Sequence, residues 1–195
     1  MNHKNGIVLH ELKMVYWYIP KVACTTLKIH FADLCGLPYD KGDPMSVHDY
    51  CWNQWEKVSE PIPGYGNFAL IRNPFYKIES LYIDKIFYNY SELVFGRFGG
   101  FYPKMPFKNF LFKIMSIENP DIHFERQSNL IPKTNDLNLQ CFEDNTMLKT
   151  LPIINKNPKP KRNFLESEVN YDIREIFQVH YHADYVLYGT RYFSL

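Results

Sequence analysis

Apolar residues fall in short, well-separated runs along this chain. Residues 14–19 are aromatic and β-branched, which predicts a buried strand closed by Pro20. Beyond the turn, Leu27, Ile29, Phe31 and Leu34 give a helix-like stripe. Residues 68–71 predict a second strand, and Phe75, Ile78, Tyr82 and Ile86 fall on one face of a following helix. Ser46 is placed to cap a short helix carrying Tyr50, Trp52 and Trp55. A helix over 106–117 turns Phe107, Phe110, Leu111 and Ile114 inward, and 137–144 reads as a strand. The last helix, 170–182, has Asn170 as its cap, with Ile173, Ile176, Phe177 and Tyr181 inward.

The remaining stretches read as connections. Residues 1–13 look like a polar lead-in, 35–44 and 60–66 like turns, and 87–107 like an aromatic loop hinged at Gly96, Gly99 and Gly100. The basic, proline-rich run within 151–162 predicts an exposed loop. There is no internal repeat or composition break, so 1–195 is read as one α/β domain, a parallel sheet flanked by helices.

The chemistry concentrates at two strand-to-helix junctions. In the first, Lys21 is followed by Val22, Ala23 and Cys24, then Thr25 and Thr26. Unpaired N–H groups and the dipole at a helix start favour an anion, and the small side chains let it approach. There is no Walker A pattern, and Val22 stands where a Mg²⁺-binding hydroxyl would follow the lysine, so phosphate binding without an obvious metal is implied. Taken alone, the pattern also fits an ordinary strand entering a helix. In the second junction, Arg72 ends the strand, Asn73 can cap the helix, Pro74 suits its first turn, and Ser80 follows about two turns on. Ligands of open α/β sheets sit outside the carboxyl ends of the strands, so two cations there suggest two phosphate sites in one cleft. A structural salt bridge for Arg72 and a solvated Ser80 are the plainer readings.

IPKVACTTLK followed by LIRNPFYKIESLYIDK resembles the two signature motifs of carbohydrate sulfotransferases, specifically those similar to sulfotransferase family 2. The resemblance implies a three-layer, P-loop-like fold that uses 3′-phosphoadenosine 5′-phosphosulfate (PAPS) as co-substrate, with no metal. It implies that Lys21, Val22, Ala23, Cys24, Thr25 and Thr26 form the 5′-phosphosulfate loop, and that Arg72 and Ser80 hold the 3′-phosphate. His48, 24 residues before Arg72, matches the base of uronyl 2-O-sulfotransferase-like relatives. His123, Phe124 and Gln127 fit a family H-[WF]-x-x-Q segment that lies beside the active site, which makes His123 a rival base. The plainer readings are a helix-cap or surface histidine next to Asp49 for His48, and a structural histidine for His123. Arg126 is a candidate for an acidic acceptor. Lys156 and Lys159 are candidates for a basic loop that closes over the nucleotide, with a solvated linker as the alternative. The helix that relatives carry after the strand at 137–144 is deleted or very short here.

Composition narrows the partners. Net charge is +1, which gives no bulk electrostatic case for nucleic acid. Aromatics reach 17%, which suits either sugar stacking or an aromatic core. The four cysteines, Cys24, Cys35, Cys51 and Cys141, have no zinc or C-x-x-C spacing and read as free thiols of a reducing compartment. With no run of 18 apolar residues and no signal-like start, the expected setting is cytoplasmic, or the Golgi lumen if the chain is trimmed from an anchored protein. The sequence gives no oligomeric state.

The reading is sulfuryl transfer from PAPS to a hydroxyl of a carbohydrate or glycoconjugate. An ATP-dependent small-molecule kinase would need an acidic Mg²⁺ partner and a Walker turn, which the sequence lacks. A non-catalytic nucleotide- or glycan-binding relative is the other alternative, kept open by the compacted region after 137.

Overall fold

The computed structural model describes residues 4–88, 90–145, 148–149, 151, 169 and 171–192. Five strands form one sheet: β1 (Gly6–Leu9), β2 (Met14–Trp17), β3 (Lys57–Val58), β4 (Gly66–Ile71) and β5 (Leu137–Cys141), in the order β3-β1-β2-β4-β5. The helices are α1 (Cys24–Cys35), α2 (Val47–Asn53), α3 (Pro74–Tyr82), α4 (Glu92–Phe95), α5 (Phe107–Met115), α6 (Tyr171–His180) and α7 (His182–Tyr192). A π-helix, Ile83–Tyr88, continues α3.

The molecule is α/β, but the sheet is mixed rather than purely parallel. β2, β4 and β5 run parallel, with Met14 opposite Gly66 and Asn67 opposite Leu137. β1 pairs antiparallel with both β2 and β3. The cause is local. Only the 3-10 turn His10–Leu12 and Lys13, at φ 45, join β1 to β2, and a parallel pair needs a far longer crossover.

The expectation of a polar lead-in over 1–13 is therefore corrected. The four residues Gly, Ile, Val and Leu of β1 are all buried, inside the sheet rather than before it. Gly6 is required there: a Cβ would lie 2.9 Å from both the Trp17 ring and the Val15 side chain.

Two apolar clusters hold these elements. One packs β1, β2, β4 and β5 against α1 and α2 through Tyr16, Trp17, Leu27, Phe31, Val47 and Phe68. The other is largely aromatic, with Tyr82, Phe95, Phe107, Phe110, Phe177 and Tyr181 drawn from α3 to α6. Many of the described aromatics are thus core. The expected loop at 87–107 contains α4 and a 3-10 turn, and it sends Phe95, Phe101 and Met105 inward.

Ser46 does not cap α2. Asp43 accepts from the Met45 N–H at the preceding 3-10 turn, and Ser46 Oγ accepts from the Asp40 N–H (2.9 Å). Residues 146–147, 150 and 152–168, which hold Lys156 and Lys159, lie outside the described residues, as does Asn170. All four cysteines are unbridged. Among the described residues no helix is long and apolar enough to cross a membrane.

Candidate active site

The β2–α1 junction is a strained turn. Lys21 (φ 67) and Ala23 (φ 52) both adopt left-handed backbone, which costs a non-glycine residue on the order of 1 kcal/mol each. The Val22 N–H closes back onto the Ile19 carbonyl (3.3 Å), and the buried Val22 side chain anchors the turn. Ala23 is the N-cap of α1, and among the described residues no side chain caps that helix. The first N–H groups, at Cys24, Thr25 and Thr26, are left for a ligand. That is the arrangement an anion needs.

The second junction meets the first directly. The Arg72 guanidinium follows β4, donates from Nη1 to the Lys21 carbonyl (3.2 Å), and lies over the Phe142 ring at 4.8 Å. The Asn73 carboxamide caps α3, accepting from Phe75 N–H (3.0 Å) and Tyr76 N–H (3.4 Å), as its place before Pro74 predicts. Asn73 N–H donates to Glu143 (3.3 Å), just past β5. Ser80 is half-buried in α3, four residues before Asp84 and so on the same helical strip. Among the described residues its hydroxyl makes no hydrogen bond to Arg72 or Lys21.

Several residues that sequence reasoning missed complete the cleft. Asp84, on the π-helix, pairs with Lys21 Nζ (2.8 Å) and with Lys85 Nζ (3.2 Å). Lys28 lies one helical turn after Thr25, which was the available signal. It is buried, with its ammonium 3.9 Å from the centre of the Tyr18 ring. Lys77, also buried, donates to the carbonyls of His123 (3.2 Å) and Glu125 (2.7 Å).

The two histidines sit in different surroundings. His48, in the first turn of α2, points inward, away from the exposed Asp49. Its Nε2 is 2.8 Å from Thr25 Oγ1, and its Nδ1 is 3.5 Å from Lys28 Nζ. Burial, then the charges of Lys28, His123, Lys85 and Lys21, push its pKa down to about 4. His123 binds Asp121 twice, through Nδ1 (2.5 Å) and through its N–H (3.0 Å), and Arg97 holds the other Asp121 oxygen (3.0 Å). Burial alone would raise the Asp121 pKa, but the bonds from His123 and the nearby charges bring it below the usual value.

Gln127 is fully buried and grips the main chain of Arg72, while Asp184 of α7 accepts from Gln127 N–H (2.8 Å) and Ser128 N–H (2.9 Å). Arg126 instead lines a cavity of about 300 Å³ with His180, Asn129 and Glu118.

The two junctions thus bring together Lys21, Thr25, Arg72 and His48, while the His123 ring is bonded to Asp121. Neither a curated protein nor a solved structure matches the chain. Residues 4–146 match the model described as Sulfotransferase family, a span that takes in all five strands, both junctions and both histidines. That span is well over half of the 195 residues, and the chain belongs to the sulfotransferase family.

Proposed function

We propose that the protein moves a sulfuryl group from PAPS to a hydroxyl of a carbohydrate or glycoconjugate by in-line displacement. The observation that carries this reading is the bond from Arg72 Nη1 to the Lys21 carbonyl, which joins a 3′-phosphate residue to the 5′-phosphosulfate loop. Family membership supplies the reaction class.

The residues present fit such a donor, because an uncapped helix start beside a lysine and two threonines suits its 5′-phosphate. Lys21 neutralises charge growing on the leaving phosphate. The N–H groups of Cys24 to Thr26 and the hydroxyls of Thr25 and Thr26 hold its other oxygens. Each well-placed donor of this kind is worth roughly 3–4 kcal/mol in the transition state. Arg72 and Ser80 hold the 3′-phosphate. An imidazole of the cleft, His48 or His123, takes the acceptor proton. The same reading implies a three-layer, P-loop-like arrangement and no metal.

Calorimetric titration tests the donor. 3′-Phosphoadenosine 5′-phosphate should bind tightly without Mg²⁺, ADP should bind far more weakly, and Arg72→Ala should abolish the difference. Preference for ATP with Mg²⁺, or no nucleotide binding at all, would overturn the reading.

A further inference from the structure

The outer side of α2 carries a fixed aromatic ring one turn from the first junction. The helix buries Val47 and Cys51 and turns His48 onto Thr25. Trp52 lies four residues beyond His48 on the same helical strip, and it is 70% exposed. Tryptophan gains more from burial than most side chains, so a ring left this open stands out. The ring is also held in place. Lys57 Nζ donates to the Trp52 carbonyl (2.9 Å) and stands 4.1 Å from the centre of the indole. One face of the indole meets an ammonium, and the exposure leaves the other face to solvent.

Lys57 sits at the same end of the sheet as the anion loop. It pairs with Ile7, and Ile7 pairs with Tyr16, one residue before the last of β2. Among the described residues Lys57 makes no ion pair, and the adjacent Glu56 is turned instead onto His10 Nε2 (2.8 Å). Burial, and after it the charges of Lys28 and Lys4, lower the Lys57 pKa. A cation with other cations acting on it and no carboxylate beside it favours an anion from outside.

An open indole face braced by an ammonium selects one class of partner. The C–H groups of a pyranose ring stack on the electron-rich indole face. A carboxylate or sulfate on the same ring meets the ammonium. A neutral sugar offers the ring without the charge, and an acidic peptide the charge without the ring. Four residues rise about 6 Å along a helix, of the order of one pyranose unit.

We propose that Trp52 and Lys57 form an acceptor subsite for an acidic saccharide, holding a charged sugar beside the one whose hydroxyl enters the cleft. This rests on the carbohydrate reading above and names the kind of carbohydrate.

Tryptophan fluorescence tests the subsite without knowledge of the natural acceptor. The chain has three tryptophans, and Trp17 and Trp55 are buried, so Trp52 supplies the emission that dissolved acrylamide can quench. The probes are hexasaccharides of alternating uronate and N-acetylhexosamine, of hyaluronan, chondroitin and heparosan type. A chitin hexasaccharide controls for the ring and oligoglutamate for the charge. At least one uronate probe should shield Trp52 from acrylamide, the chitin fragment should bind about tenfold more weakly, and oligoglutamate should give no shielding. No shielding by any uronate probe, equal affinity for the chitin fragment, or equal shielding by oligoglutamate would overturn the proposal.

Calorimetry with the shielding probe then separates ring from charge. Trp52→Ala should weaken binding about tenfold, and Trp52→Phe should restore most of it. Lys57→Met should weaken binding and flatten its dependence on salt. Because Trp52 is exposed, Trp52→Ala should keep the wild-type denaturation midpoint, so its loss of binding is not a loss of fold. Unchanged affinity in Trp52→Ala would overturn the subsite. Neither probe nor readout involves the donor. Shielding without binding of 3′-phosphoadenosine 5′-phosphate would support the subsite and sink the PAPS reading, and nucleotide binding without shielding would sink the subsite alone.

Discussion

The Gln127 side chain closes a two-bond ring with the main chain of Arg72. Arg72 N–H donates to Gln127 Oε1 (2.9 Å), and Gln127 Nε2 donates to the Arg72 carbonyl (2.7 Å). The strand ladder stops at Ile71, opposite Cys141, so Gln127 supplies the pairing that the sheet no longer gives. It thereby fixes where the guanidinium leaves the backbone. Because Gln127 is fully buried, its loss takes a buried partner from both the N–H and the carbonyl of Arg72. Gln127→Ala should lower unfolding free energy by about 2–4 kcal/mol, measured by urea denaturation. It should also weaken 3′-phosphoadenosine 5′-phosphate binding in the folded protein. Unchanged nucleotide affinity would mean that Arg72 is positioned by its side-chain contacts alone.

Acid should destabilise the fold through His48. Its pKa in the fold is about 4, below the ordinary value near 6.5, so between these values the unfolded chain binds a proton that the folded chain refuses. Stability is full above about pH 6.5 and falls as pH drops toward 4, by on the order of 3 kcal/mol from this group. His180, whose pKa is also lowered, chiefly by burial, adds in the same direction. The difference between wild type and His48→Gln isolates the His48 part. Denaturation midpoints should converge as pH falls from 7 to 4, and parallel curves would contradict this.

Both junctions were legible because each is a contiguous string whose residue types announce its geometry. Proline closes a strand, small residues and threonines open a helix, and Asn-Pro sets a cap. The parts that escaped reading depend on pairs distant in sequence. Lys21 meets Asp84 across 63 residues, and Gln127 meets Arg72 across 55. β1 was hidden by its length: four apolar residues set among polar neighbours give too short a pattern to call a strand. The inward turn of His48 was likewise invisible, since nothing near it in sequence reveals Thr25 and Lys28 on the facing helix.

Asp84 should oppose the donor. Its carboxylate holds Lys21 at 2.8 Å, and both side chains are largely shielded, at 18% and 16% exposure. An incoming phosphate must share that lysine with Asp84 and lie near its negative charge. Asp84→Asn keeps the shape and removes the charge, so nucleotide affinity should rise severalfold, by about 1 kcal/mol, and more at low salt. Calorimetry with 3′-phosphoadenosine 5′-phosphate checks this. A fall in affinity would show instead that Asp84 holds Lys21 in its binding position.

Lys77 is the cation on which the 121–127 segment is built. Its Nζ donates to two carbonyls of that segment, with Asp184, Glu125 and Asp121 near enough to attract it. Burial outweighs that attraction and pushes its pKa down to about 8. Lys77→Met keeps the length and removes the donors. The His123 and Glu125 carbonyls then lose a partner, and the buried Asp184 loses a neighbouring cation, which should cost about 2–4 kcal/mol at pH 7. The pH dependence has the same sign as that of His48, in a more alkaline window. From about pH 8 to 10.4 the folded chain holds fewer protons at Lys77 than the unfolded chain, so this group adds stability as pH rises. The buried Tyr16 and Tyr181, whose pKa values are raised chiefly by burial, oppose it only at higher pH. The cost of Lys77→Met should therefore be larger at pH 9.5 than at pH 7. A cost that shrinks over that range would mean that Lys77 stays charged in the fold and that the carboxylates, not burial, set its state.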